Sequence, residues 1–138
     1  MEINSVIHHK LNTLEQVLGE LKSLGQVTEK RLNDNWQMRR AVERDLQVLV
    51  EIVIDICQRF ISLSGQAPAT TGSEAIERCI QMGILSKPDP YQKMVQFRNF
   101  IVHRYEKVDT GILVDMVNRR LADFEKFRQE VLTYVVRR

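Results

Sequence analysis

The sequence predicts an all-α protein, an up-and-down bundle of four main helices with one or two short ones, and three observations carry that prediction. Apolar residues recur at three- and four-residue steps in long segments, glycines and capping residues fall between those segments, and no stretch alternates as a strand would. The 138 residues are read as one domain with one core, spanning 1–138.

Ile3, Ile7, Leu11, Leu14, Leu18 and Leu21 form one stripe of a first helix that Gly25 can end. Residues 28–35 are polar and hold at most a short turn of helix, and a long central helix runs from Trp36 to about Leu63, stopped by Gly65. Between Val48 and Ile61 this helix is apolar on more than one side, with Glu43, Gln47, Glu51, Asp55 and Arg59 as a single polar row at i+4 steps. A helix wetted along one row packs on two surfaces. After a loop containing Gly65, Pro68 and Gly72, Thr71 and Glu74 make a capping box for a short helix to Met82, closed by Gly83. Asp89 caps and Pro90 opens a helix from Tyr91 to about Arg104. Asp109 then caps a last helix carrying Val114, Val117, Leu121, Phe124, Val131 and Val135 on one face.

Composition narrows the function classes. Hydrophobic residues make up 43% and charged residues 28%, the formal charge is +2, and there is no low-complexity tract, so affinity for nucleic acid has to come from local clusters such as Arg39, Arg40 and Arg44, or Arg119 and Arg120. Cys57 and Cys79 sit among apolar helical neighbours and are expected as buried free thiols. The richest apolar segment, residues 46–56, is interrupted by Gln47, Glu51 and Asp55, too short and too polar for a membrane span. Together with an N-terminus unlike a signal peptide, this predicts a cytoplasmic protein with no membrane partner. His8 and His9 lack a neighbouring cysteine or carboxylate cluster and are read as solvated; no metal and no cofactor are expected.

Chemistry concentrates in Arg98-Asn99-Phe100-Ile101-Val102-His103-Arg104-Tyr105. At about 100° per residue, Tyr91, Met94, Val95, Phe97, Ile101 and Val102 make one apolar stripe with Arg98 near its middle, where a charge must be paired or used. A structural reading pairs Arg98 with Glu51 or Asp55 of the central helix. A functional reading uses the arginine fork to grip a phosphate and His103 to move protons, which suits cleavage of RNA by its own 2′-hydroxyl without a metal. Asn99 and His103 lie about 40° apart and can face one cleft, whereas Arg98 and His103 are about 140° apart and meet more easily across a two-fold dimer. Tyr105 is nearly eclipsed with Arg98, two turns on.

The same segment resembles the R-x-x-x-x-H-x-Y motif of HEPN-domain proteins, in particular the HepT-like toxin family. Residues 40–47, the stretch from Glu51 to Ile56, Met94 to Phe97 and the Asp123-Phe124 region look like that family in the same order. The resemblance implies the toxin of a HEPN/MNT toxin-antitoxin system, a metal-independent endoribonuclease acting as a homodimer on RNA. It implies Arg98 and His103 as the catalytic pair with Asn99 in support. The partner it implies is a minimal nucleotidyltransferase antitoxin that silences the toxin by adenylylating the tyrosine that here is Tyr105. The alternative is a non-catalytic partner or binding subunit of a nucleotidyltransferase, with Arg98 serving as an ion-pair residue.

Overall fold

The computed structural model describes residues 5–102 and 109–136, with Ile101 and Val102 described in backbone only. Within them the chain is helical without strands: α1 (Ser5–Lys22), α2 (Glu29–Asp34), α3 (Trp36–Leu63), α4 (Gly72–Gln81), α5 (Tyr91–Val102), α6 (Thr110–Asp115) and α7 (Leu121–Val136). A π-helical turn, Met116–Arg120, joins α6 to α7, so the expected last helix is one rod with a widened turn. The four long helices and the short α2 and α4 are those the spacing predicts.

Helix ends follow local chemistry. Thr28, Asn35, Thr71 and Asp109 each accept a backbone N–H of the first turn through the side chain, opening α2, α3, α4 and α6. The capping box at α4 is displaced by one residue: Thr71 Oγ1 accepts from Glu74 N–H at 3.0 Å, but the Glu74 carboxylate reaches past Thr71 to the N–H and hydroxyl of Thr70, at 2.8 and 2.7 Å. These bonds, with Arg78 beside the carboxylate, hold the Glu74 pKa down to about 2. The Asp89 cap does not form. Among the described residues its carboxylate accepts no hydrogen bond, and α5 opens instead through backbone carbonyls, Tyr91 N–H donating to Asp89 O and Gln92 N–H to Pro88 O, both at 2.9 Å.

At the other ends, Gly65 and Gly83 take φ of 84° and 78°, a left-handed conformation that glycine adopts without a Cβ penalty. Each lets the next residue turn back to the helix: Gln66 N–H bonds Ile61 O at 3.2 Å, and Ile84 N–H bonds Cys79 O at 2.9 Å.

One apolar cluster unites the helices. From α1 come Ile7, Leu11, Leu14, Leu18 and Leu21, the expected stripe from its second member onward. The central helix α3 buries residues on two sides, from Val42 through Ile61, and meets α1, α4 and α5. On the last rod the buried side chains are Leu113, Met116, Val117, Leu121, Phe124, Phe127 and Val131, while Val114 and Val135 are half-buried at the stripe's edge. Each fully buried large side chain contributes about 1.5–3 kcal/mol of transfer free energy. Cys57 and Cys79 are buried and free, as expected. The Cys79 thiol donates to the Cys57 carbonyl at 3.7 Å, and the hydrogen bond with Cys79 and burial push the Cys57 thiol well above its ordinary pKa.

Polar clasps tie the loops to this core. Asn118, on the π-helical turn, accepts from Val27 N–H at 3.0 Å and donates to Val27 O at 2.9 Å, pinning the α1–α2 connection. Glu130 of α7 accepts from Tyr91 Oη at 2.6 Å, from Ser86 N–H at 2.8 Å and from the Ser86 hydroxyl at 3.1 Å. Burial and the Glu130 carboxylate raise the Tyr91 pKa, so the phenol keeps its proton and stays a donor.

Candidate active site on the motif helix

α5 is held at its start by the Tyr91 clasp and along one side by the core. Tyr91, Met94, Val95 and Phe97 are buried, as the stripe predicts. The α4 N-terminus comes close here: a Cβ on Gly72 would lie 2.8 Å from Ile54 Cδ1 and 3.5 Å from Val95 Cγ1, so a glycine lets α4 seat between α3 and α5.

Arg98 follows Val95 by one turn and is half-buried. Its Nε is fully buried and has no hydrogen-bond partner among the described residues. Nη1 donates to Oδ1 of the exposed Asn99 at 3.4 Å, a long bond to a neutral acceptor. The expected ion pair with Glu51 or Asp55 does not form among the described residues. Asp55 pairs with Lys10 of α1 at 3.3 Å, and Glu51 accepts from Gln47 Nε2 at 3.0 Å. The reason is the phase of α3: Asp55 lies about 100° around the helix from Ile54, and it is Ile54 that meets the α4–α5 side, so Asp55 faces α1 instead.

A guanidinium keeps its charge at any ordinary pH, so Arg98 presents a cation whose neutralising anion is not supplied by the described residues. Such a fork is matched by a phosphate, which offers several acceptor oxygens. His103, Arg104 and Tyr105 lie outside the described residues, and with them the expected 40° relation of Asn99 to His103 and the position of the tyrosine.

The two expected basic clusters resolve differently. Arg39 is not a surface cation: it is 5% exposed, donates to Asn33 Oδ1 at 3.1 Å and to the Thr110 hydroxyl, and pairs through Nε with Glu43 at 3.3 Å. It therefore fixes the start of α6 on α3. Arg40 lies over the Trp36 ring, 5.5 Å from its centroid, and Arg44 is exposed. Arg119 and Arg120 both pair with Asp115, at 3.8 and 3.5 Å, and Arg120 also with Asp123 at 4.0 Å. Their charge is largely compensated.

A cleft of 490 Å³ that the sequence did not disclose opens between α5 and the last rod, with Phe97 and Phe100 on one wall and Ile112, Met116 and Phe124 on the other. Arg98 and Asn99 do not line it. Among the described residues no group of three or more His, Cys, Asp or Glu is gathered as metal ligands would be, and no helix is long and apolar enough to cross a membrane.

Known proteins share both sequence and fold with this chain. It is 26% identical over 129 residues to the mRNA nuclease HepT of Shewanella oneidensis, covering 91% of this chain and 95% of the relative. The tri-AMPylated Shewanella oneidensis HEPN toxin, solved in complex with its MNT antitoxin, superposes with a TM-score of 0.84 at 22% identity, covering 95% of this chain and 99% of that one. A cytosolic protein of unknown function from Bacillus subtilis superposes with a TM-score of 0.77 at 18% identity, covering 95% and 89% of the two chains. The sequence profile of the ribonuclease HepT-like family matches residues 7–131, nearly the whole of the helical core described above, and the chain belongs to that family.

Proposed function

We propose that this chain is the toxin of a HEPN/MNT toxin-antitoxin pair, a metal-independent endoribonuclease built as a homodimer. The observation that carries the reading is the Arg98 fork on α5, not neutralised by any of the described residues, with Nε buried and Nη1 against Asn99, five residues before His103 in an Arg-x4-His-x-Tyr segment. In this reading two copies of the motif helix face one cleft, so that each scissile phosphate meets an arginine and a histidine.

The chemistry follows from those groups. His103 takes the proton of the 2′-hydroxyl, the 2′-oxygen attacks the adjacent phosphorus, and the 5′-oxygen leaves with a proton returned by imidazolium. Arg98 binds the non-bridging oxygens and stabilises the added charge of the crowded phosphorane. Asn99 orients the guanidinium through its side-chain carbonyl. The products end in a 2′,3′-cyclic phosphate and a 5′-hydroxyl.

Tyr105 is the off-switch in this reading. In a helix continued past Val102 its phase would match that of Arg98, and an adenylate on its oxygen would then set a phosphate where substrate phosphate binds. The Shewanella oneidensis toxin, named as tri-AMPylated and in complex with an MNT antitoxin, supports the choice of a minimal nucleotidyltransferase as donor and partner.

Expression of the wild-type chain is expected to arrest growth, and His103→Ala to relieve the arrest. Incubation with the nucleotidyltransferase and ATP is expected to add adenylate, seen by intact mass, to the wild type and not to Tyr105→Phe. Arrest by His103→Ala equal to wild type would overturn the catalytic assignment. Equal labelling of Tyr105→Phe would overturn the switch.

A further inference from the structure

We propose that Trp36, Arg40 and Arg44, on the solvent face of α3, form a subsite for the single-stranded RNA flanking the bond cleaved at Arg98; the proposal rests on the ribonuclease reading above. The three residues follow one another at i+4 steps, about 40° apart in phase and about 12 Å from first to last along the helix. All three are exposed.

Trp36 is the chain's single tryptophan and is 63% exposed, a large aromatic surface left in water. The Arg40 guanidinium covers part of its ring, 5.5 Å from the centroid, an arrangement that fixes a flat platform with a cation at its edge. Bases stack on such platforms without regard to sequence, while neighbouring cations follow the phosphates.

Charge complementarity favours a polyanion here. Neither Arg40 nor Arg44 forms an ion pair among the described residues, while the carboxylates around them are engaged or turned away. Glu43 pairs with the buried Arg39 at 3.3 Å and Asp34 with Lys30 at 2.5 Å. Burial and Glu20 raise the Asp45 pKa and Arg44 opposes them, so that carboxylate offers Arg44 a weak through-space field and no bond.

Position links the stripe to the site. Eighteen residues on, five full turns, Ile54 lies in line with Trp36 on α3, and Ile54 is the residue that meets the α4–α5 side next to Val95, one turn before Arg98. At the stripe's own end, Arg39 binds the Thr110 hydroxyl at the start of α6. Trp36 therefore lies on the face of α3 that borders the motif helix, and Arg40 and Arg44 step away from that face by about 40° and 80°, toward the α1 side.

The single tryptophan makes the test direct. A short single-stranded RNA of mixed sequence is titrated into the full-length His103→Ala protein while Trp36 emission is followed, and the wild type is assayed for cleavage of the same RNA. Saturable quenching is expected. Replacing Arg40 and Arg44 together by Gln is expected to weaken binding about tenfold and to flatten its logarithmic salt dependence by about 1.4.

Cleavage by the wild type without any change in Trp36 emission would overturn the subsite and leave the ribonuclease reading intact. Quenching without cleavage would uphold the subsite and count against the ribonuclease. Neither signal would overturn both. An emission that responds to protein concentration and not to RNA would mean that a second copy of the chain covers Trp36, which also overturns the proposal.

Discussion

Replacing Arg98 by Met is expected to lower the rate of RNA cleavage by about 10²–10³-fold while leaving the protein as stable as the wild type or up to about 1 kcal/mol more stable. The two halves of this expectation have one cause. A buried Nε without an acceptor costs about 1–3 kcal/mol in the folded state, and the described residues do not repay it with an ion pair. A methionine of similar length removes that cost and, with it, the fork proposed to hold phosphate. Arg98→Lys keeps the charge but loses the planar geometry, so it should recover only a small part of the lost rate. Thermal unfolding beside a cleavage assay reads both effects. A large loss of stability in Arg98→Met would instead make Arg98 a structural ion-pair residue.

Replacing Arg39 by Ala is expected to have the opposite pattern in its origin: a loss of about 3 kcal/mol in folding stability, near 10 °C in melting temperature for a chain of this size. Arg39 links α2 through Asn33, α3 through Glu43 and α6 through Thr110, and truncation leaves the Glu43 carboxylate without its cation and Asn33 and Thr110 with only their mutual hydrogen bond at 2.8 Å. Arg40→Ala, one residue on and exposed, is expected to change stability by less than about 0.5 kcal/mol. Urea unfolding of the two variants side by side checks the contrast. Equal, small effects would mean that Arg39 is not the keystone its contacts make it.

That contrast also shows what the sequence could and could not reveal. The helices were legible because their boundaries are written in local chemistry: Thr28, Asn35, Thr71 and Asp109 cap where they stand, and Gly65 and Gly83 reverse the chain. Asp89 was misread since a proline turn supplied backbone acceptors in place of its side chain. Arg39, grouped with Arg40 and Arg44 as a basic cluster, carried a signal that separates it. It precedes Val42 and Leu46 at core spacing and Glu43 by one turn, so its phase on α3 is that of the buried residues.

Arg98 stood out because a charge in an apolar stripe is costly wherever the helix packs. That neither Glu51 nor Asp55 pairs with it among the described residues was not legible, since this depends on which side of α3 meets α5, and that is set by the seating of Gly72 between Ile54 and Val95. The Tyr91–Glu130–Ser86 clasp joins residues distant in sequence, and no local pattern announces such a contact. The π-helical turn was hidden for a similar reason, as the apolar spacing of the last rod continues across it while Asn118 turns to hold Val27.

If Arg98 and His103 cleave RNA with the substrate's own 2′-hydroxyl, the ends of the products carry the signature of that chemistry. The most direct test is to incubate the purified chain with RNA in the presence of a metal chelator and to determine the chemistry of the new ends. The expected result is 2′,3′-cyclic phosphate and 5′-hydroxyl ends from the wild type and no cleavage above background from His103→Ala. Cleavage that stops with the chelator, or that proceeds in His103→Ala at the wild-type rate, would contradict it.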